Sequence, residues 1–297
     1  MFDSAQSLLI GVDGGGSGCR VAIGTSTDGV LARAEGGRAN AASDPVLAIR
    51  NIVATVQAAA AKASIPAPAL DGAFAHLGLA GVMTPQDSLR MSSALPYANT
   101  VVTDDRPTTV IGALGGQDGY LLSIGTGTIV AENTGGSFSY IGGWGFHLSD
   151  QGSGAWLGRA GLEQVLLCHD RLADHTDLTR ALFAKFGDDP SAIVAFSMSA
   201  KPGDFASLAP DIVSGARDGD KWGQSIMTCG ADYLTRGLLA LGFQTGNTLC
   251  LTGGLGSHYA RYLPPKFLKK QITSRGNALD GAFELARSGM ANQRSRS

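Results

Sequence analysis

Charge is scarce in this sequence: only 16% of its 297 residues are charged, against the usual ~25%. The formal net charge is −2, with no long run of lysine or arginine. Nucleic acid and anionic membrane are therefore poor candidates for the main partner. No stretch reaches ~18 apolar residues, which argues against a membrane-spanning helix. The opening residues MFDSAQS carry an acid and no basic segment, so no secretory leader is expected and the chain reads as cytoplasmic. Four scattered cysteines (Cys19, Cys168, Cys229, Cys250) form no CxxC pair. A metal or iron–sulfur centre within the chain is not expected, and the thiols read as buried in a reducing compartment.

Two phosphate-loop motifs are also missing. The glycines after Asp13 have no GxGxxG register and no lysine follows them, so the Walker form GxxxxGK[ST] is absent. A dinucleotide fold needs its glycines to open a helix. Here they join two strands: LLIGVD, then GGGSG, then CRVAIGT, with TDG as the next turn.

What is abundant is glycine, 42 residues, about twice its usual share and clustered. Clustered glycine marks tight turns or backbone approached closely by a ligand. Ser43-Asp44-Pro45 caps a helix predicted to reach about Ala63, with Ile49, Ile52, Val53 and Val56 on one face. FAHLGLAG (74–81) reads as a buried strand, Gln86–Ala94 as a short helix, NTVVTDD (99–105) as a strand ending in carboxylates, and Pro107–Leu114 as a helix.

Then the opening pattern returns. GYLLSIGTGTIVAEN (119–133) is again strand, glycine turn, strand, and SFSYIGGWGFHLSDQGSGAWLGR adds a strand, a glycine-rich loop and a helix start. Residues 160–242 read as mostly helical, with breaks at Gly187–Pro190 and Lys201–Gly203. NTLCLTGGLGS (247–257) gives a third strand ending in glycines, YLPPKF is irregular, and GNALDGAFELARSG (276–289) closes with a helix. The basic tail NQRSRS reads as disordered. The recurrence suggests a duplicated α/β fold with a cleft between its halves, lined by turns at strand ends, where ligands bind such sheets.

Successive N–H groups in a glycine turn form an anion-binding nest, and Ser17 adds a hydroxyl. Asp13 repels phosphate but can hold the Mg²⁺ that accompanies a nucleotide. A glycine hairpin with a solvated aspartate would show the same letters; the second turn, Gly125-Thr126-Gly127-Thr128, favours a nucleotide. Gly253-Gly254 could lie under an adenine ring or pack a helix start against a strand. Of the strand-end pair, one aspartate can take a proton from a hydroxyl nucleophile and the other can cap the following helix; the cap is expected at Asp105. Asp150, among five glycines and Trp144, suits a pocket for sugar hydroxyls, or caps a helix. Asn40, in GGRANAAS, is a further polar candidate or a plain loop residue.

VDGGGSG, VVTDD, SIGTGT, GGWGFHLSDQGSGAWLG and LTGGLG, in that order, resemble the BadF/BadG/BcrA/BcrD-type ATPases in their N-acetylglucosamine and glucosamine kinase branch, within the actin/hexokinase/Hsp70 superfamily. The resemblance spans about residues 8–290. It implies duplicated actin-like ATPase (ribonuclease H-like) α/β domains with an interdomain cleft. The first would cover 1–114, with the closing helix (about 277–290) able to pack back onto it; the second would cover 115–276 with helical insertions. It implies ATP and Mg²⁺, an amino-sugar substrate phosphorylated on its 6-hydroxyl, and a homodimer. It places Asp13 at the metal and Gly14, Gly15, Gly16 and Ser17 at the β/γ-phosphates. Gly125, Thr126 and Gly127 form the second phosphate loop, Thr126 also reaching the sugar. Asp104 is the implied base, although Asp105 replaces the family's small residue after it. Asn40, Gly143, Trp144 and Asp150 would line the sugar pocket, and Gly253 and Gly254 would meet the adenosine. The cluster cysteines of the CoA-dehydratase activators and the zinc-binding cysteines of ROK kinases have no counterpart, which favours the sugar-kinase branch. The rival readings are an ATPase switch that turns over without sugar, and a sugar-binding regulator without catalysis.

Overall fold

The two hairpin repeats become the centres of two sheets in a computed structural model, which describes residues 7–295. The stretch MFDSAQ, part of the segment read as lacking a leader, lies outside them. Among the described residues no helix is long and apolar enough to cross a membrane. The chain divides into two units, one made of residues up to Gln117 together with those from Ser274 on, the other of Asp118–Thr273.

The first unit carries β1 (Leu8–Gly14), β2 (Cys19–Thr25), β3 (Gly29–Gly36), α1 (Pro45–Lys62), β4 (Phe74–Leu79), α2 (Pro85–Ser93), β5 (Asn99–Thr103) and α3 (Asp105–Leu114). Its sheet runs β3-β2-β1-β4-β5, antiparallel within the β1–β3 meander and parallel from β1 to β4 to β5. Alternation sends Ile10, Val12 and Leu77 towards α1, where Ile52 and Val56 meet them. Leu9 and Phe74 point the other way. Asp44 caps α1 by accepting from Leu47 N, and Pro45 occupies the first turn, as the sequence predicts.

The second unit repeats the plan. It holds β6 (Gly119–Ile124), β7 (Thr128–Thr134) and β8 (Ser137–Gly142), then α4 (Gly154–His169), α5 (Asp177–Ala184), α6 (Pro190–Ser199), α7 (Pro202–Ala206), α8 (Ala209–Arg217) and α9 (Lys221–Ala240). β9 (Leu249–Thr252), α10 (Gly256–Tyr259) and β10 (Gln271–Ile272) complete it. The order β8-β7-β6-β9-β10 is that of the first sheet strand for strand. The six helices after β8 form an insertion whose apolar residues join Leu122, Ile124 and Val130 in one core.

The chain then returns. α11 (Ala278–Arg294) belongs to the first unit and packs on α3, β1 and β4, covering the Leu9/Phe74 face with Leu279 and Phe283. Glycines permit that approach. A Cβ on Gly281 would stand 1.9 Å from the Thr108 carbonyl, and one on Gly112 2.0 Å from that of Asn277.

Several expectations need correcting. α11 runs to Arg294, so the first three residues of NQRSRS are helical rather than disordered; the last two of the chain lie outside the described residues. Further breaks at 170–176 and 218–220 interrupt the helical stretch, and YLPPKF folds into short 3-10 turns. α3 begins at Asp105, two residues earlier than expected. Its cap is Asp104, whose side chain accepts from Arg106 N, and not Asp105.

Candidate functional site

In the first unit the site is laid out along the carboxyl edge of the parallel strands. Asp13 of β1 is in register with Gly78 of β4, which is in register with Thr103 of β5. At ~4.8 Å per strand, the backbone of Asp13 and that of Thr103 are about 10 Å apart. The turn after β1 and the aspartates after β5 therefore open on the same edge.

The turn is a bare loop of backbone. Gly15 N donates to Gly18 O at 2.9 Å, while the N–H groups of Gly16 and Ser17 take no acceptor among the described residues. A Cβ on Gly15 or Gly16 would meet nothing within 4 Å. Free N–H groups facing open space are what an anion-binding nest requires. Gly14 differs: Leu79 and Ala39 crowd it, so its lack of a side chain serves packing. Neighbouring loops brace the turn, through Ala39 N to Gly15 O at 2.9 Å and Ala80 N to Gly14 O at 2.8 Å. Ala41 N reaches Ala80 O at 2.9 Å, which brings Asn40 beside this turn. The Asn40 Oδ1 is occupied locally, accepting from Ala42 N and Ser43 N at 3.0 and 2.9 Å.

Asp13 faces Arg20 across the hairpin and pairs with it; Arg20 Nε lies 3.0 Å from Oδ2. Both guanidinium contacts fall on Oδ2, which leaves Oδ1 for another partner. Among the described residues no group of three or more His, Cys, Asp or Glu could hold a metal by itself. One carboxylate oxygen beside a phosphate nest suits Mg²⁺ that arrives with its nucleotide and keeps its waters.

The aspartate pair is asymmetric. Arg106 clamps Asp104 with Nε on Oδ1 and Nη2 on Oδ2, both at 2.8 Å. Burial pushes the Asp104 carboxyl up, but the guanidinium and the Arg106 backbone N–H outweigh it and hold the group below 3.8. Asp105, one residue on, has no such clamp and is open to solvent. Its carboxyl is pushed above 3.8, first by the crowding of protein around it, then by the charges of Asp104 and Asp13; its exposure tempers the effect.

The second unit offers a parallel edge. Gly125 N donates to Gly127 O at 2.9 Å, leaving the N–H groups of Thr126 and Gly127 without acceptors among the described residues. Gly154 N and Ala155 N, at the start of α4, bond to the carbonyls of Gly125 and Thr126 at 2.8 and 3.3 Å. Gly253 lies against this turn: its φ is +79°, and a Cβ there would stand 2.2 Å from Ile124 O. Gly254 faces open space.

Asp150 is 7% exposed and holds a left-handed φ of 66° without being glycine. It accepts from the backbone N–H groups of Thr128 and Gly145; burial still raises its carboxyl, with those bonds in partial opposition. Asp150 thus fastens the glycine-rich loop to the turn, a structural duty that leaves part of its acceptor capacity for a ligand. Gly143 N donates to Thr128 O at 3.1 Å from a left-handed φ of +72°. Trp144 is 75% exposed, a large ring held out with little to pack against. Two hydroxyls here, Thr128 Oγ1 and Thr252 Oγ1, are buried without a partner among the described residues.

Motif reading missed the two arginines. Arg20 was visible only through the hairpin register that sets it opposite Asp13, and Arg106 only once Asp104 is known to be the cap.

The profile of the BadF/BadG/BcrA/BcrD ATPase family matches residues 10–281. The chain belongs to that family. Among its relatives, a Vibrio cholerae protein named glucosamine kinase GspK is 30% identical over 282 residues, covering 95% of this chain and 96% of its own length. A Chromobacterium violaceum structure provisionally named an N-acetylglucosamine kinase is 34% identical, with a TM-score of 0.83 over 96% of this chain and all of that one. A ROK-family glucokinase from Streptomyces griseus, solved with glucose and AMPPNP, shares the fold at 16% identity and a TM-score of 0.55, over 95% and 100% of the two chains. With two sheets of one topology and such neighbours, the fold is the duplicated actin-like ATPase fold.

Proposed function

We propose that this chain is an ATP- and Mg²⁺-dependent kinase that phosphorylates the 6-hydroxyl of an amino sugar, glucosamine or N-acetylglucosamine. The observation that carries the reading is the aspartate pair after β5, one member clamped by Arg106 and the other open and raised, on the sheet edge that also bears a free glycine nest. The names of the two relatives at 30% and 34% identity support the substrate class.

In this reading the open N–H groups of Gly16 and Ser17, and those of Thr126 and Gly127, donate to the phosphates, while Gly15 and Gly125 close the two turns and Gly253–Gly254 leave room for the adenosine. Asp13, whose Oδ1 Arg20 leaves free, would hold Mg²⁺, and the ion would neutralise charge on the phosphates. The sugar's hydroxyl oxygen forms a bond to the γ-phosphorus, the bond from that phosphorus to the bridging oxygen breaks, and ADP leaves. The hydroxyl proton passes to a carboxylate. We assign that role to Asp105 and not to Asp104, the base that the resemblance implies: a carboxylate tied twice to a guanidinium is a poor proton acceptor, and an open, raised one is better matched. Asn40 offers its amide N–H, Thr126 its hydroxyl, Asp150 a carboxylate oxygen and Trp144 a ring face to the sugar. The Gly143 backbone turns the chain towards it.

The test is ADP release from Mg-ATP with no sugar, glucosamine, N-acetylglucosamine, N-acetylmannosamine and glucose. Stimulation of at least tenfold by one amino sugar is expected. Equal ADP release in every tube would instead mark a sugar-independent ATPase switch.

A further inference from the structure

One buried ionisable group stands apart from the chemistry above. His76 lies on β4, 6% exposed, on the sheet face shared with Phe74 and Gly78. Its Nε2 is 3.3 Å from Thr103 Oγ1 at the end of β5. That hydroxyl lies 2.8 Å from the Asp104 carbonyl oxygen, and since a carbonyl only accepts, the hydroxyl donates there. With its single proton so directed, Thr103 can only accept from the histidine. The proton of the ring therefore sits on Nε2, and the bonds run one way: imidazole N–H to threonine hydroxyl to Asp104 carbonyl. The next carbonyl, that of Asp105, is held by two more hydroxyls, Thr108 Oγ1 at 2.9 Å and Thr109 Oγ1 at 2.8 Å. Every carbonyl of the aspartate pair is thus fixed by side chains as well as by the helix.

We propose that His76 is a positioning residue for phosphoryl transfer: acting through Thr103, it fixes the backbone of Asp104 and so the direction in which Asp105 leaves the strand end. The inference rests on the kinase reading of Asp105. Burial lowers the imidazole to about 4, so at neutral pH the ring is uncharged and works by tautomer. A neutral polar ring on a face otherwise covered by Leu279 and Phe283 needs such a partner to be retained.

The test is a cycle of variants assayed with the wild type. His76→Met keeps the volume, and Thr103 keeps its acceptor, so no buried donor is orphaned and the fold should survive. A kcat lower by roughly tenfold is expected, with KM for ATP and thermal midpoint nearly unchanged, as for a modest misplacement of a reacting group. Thr103→Val should lower kcat at least as much, Thr103→Ser should restore it, and His76→Met with Thr103→Val should be no worse than Thr103→Val alone. A wild-type kcat in His76→Met, or losses that multiply in the double variant, would overturn the proposal. Should His76→Met fail to fold, ¹⁵N spectra of the wild-type imidazole decide: the Nε2–H tautomer at pH 7 is required, and an Nδ1–H or doubly protonated ring sinks it. If wild-type protein phosphorylates no sugar, the kinase reading fails by itself, and the tautomer measurement still judges the hydrogen-bond chain.

Discussion

At Asp104 and Asp105 two identical side chains in adjacent positions are given opposite properties by one arginine. Asp105→Asn should cut kcat by about 10³-fold or more while leaving nucleotide affinity within about twofold; Asp104→Asn, which keeps a good cap, should lose only about tenfold. Sugar-dependent ADP release and a nucleotide titration of both variants check this, and the reverse ranking would return the base to Asp104. Because the base must be ionised, kcat/KM should fall as pH drops through a value above the ordinary 3.8, and that acid limb should vanish in Asp105→Asn. Stability carries the opposite sign. A carboxyl raised in the folded state destabilises it once both states are ionised, so Asp105→Asn should melt higher than wild type at pH 7, with the gain gone at low pH. Trp144→Ala should raise the sugar KM roughly tenfold and move stability by no more than about 0.5 kcal/mol, since the ring is 75% exposed. The letters VVTDD announced a carboxylate pair at a strand end. They could not say which was tethered, because that depends on where α3 starts, and propensity places helix starts only within a few residues.

Among the elements, the hairpins and their parallel neighbours were the legible part, since alternation and glycine turns are local signals. β10, two residues long, and the breaks within the helical insertion were not, because tertiary packing and not local propensity sets them. The close approach of α11 to α3 was equally hidden: Gly112 and Gly281 read as ordinary helix glycines until the other helix is placed against them. Gly281→Ala should therefore cost about 1–3 kcal/mol, well beyond the small gain its helix propensity would bring, read as a lower denaturant midpoint. Gly253→Ala adds a strained left-handed residue to a clash with Ile124 O, and should weaken nucleotide binding more than sugar binding. An unchanged ADP titration in that variant would remove the residue from the nucleotide site.

On the scale of the whole molecule, one five-strand plan serves twice, with the helical insertion confined to the second copy. The recurrence of strand, glycine turn and strand made the duplication readable. All five strands of the first sheet were readable too, and only β10, a two-residue edge strand of the second, carried too little signal.

The first unit is discontinuous: its sheet is made from the first hundred or so residues, and on its second face, beside α3, the Leu9/Phe74 patch is covered by α11. During synthesis, the glycine nest after β1 and the aspartates after β5 leave the ribosome early and then wait for the rest of the chain. Until Leu279 and Phe283 arrive, Leu9 and Phe74 have no cover, so a nascent or prematurely terminated chain is a client for chaperones and proteases and not a half-built ATPase. A chain stopped at residue 277 should accordingly show fast amide exchange across β1, β4 and β5 while β6 and β7 stay protected.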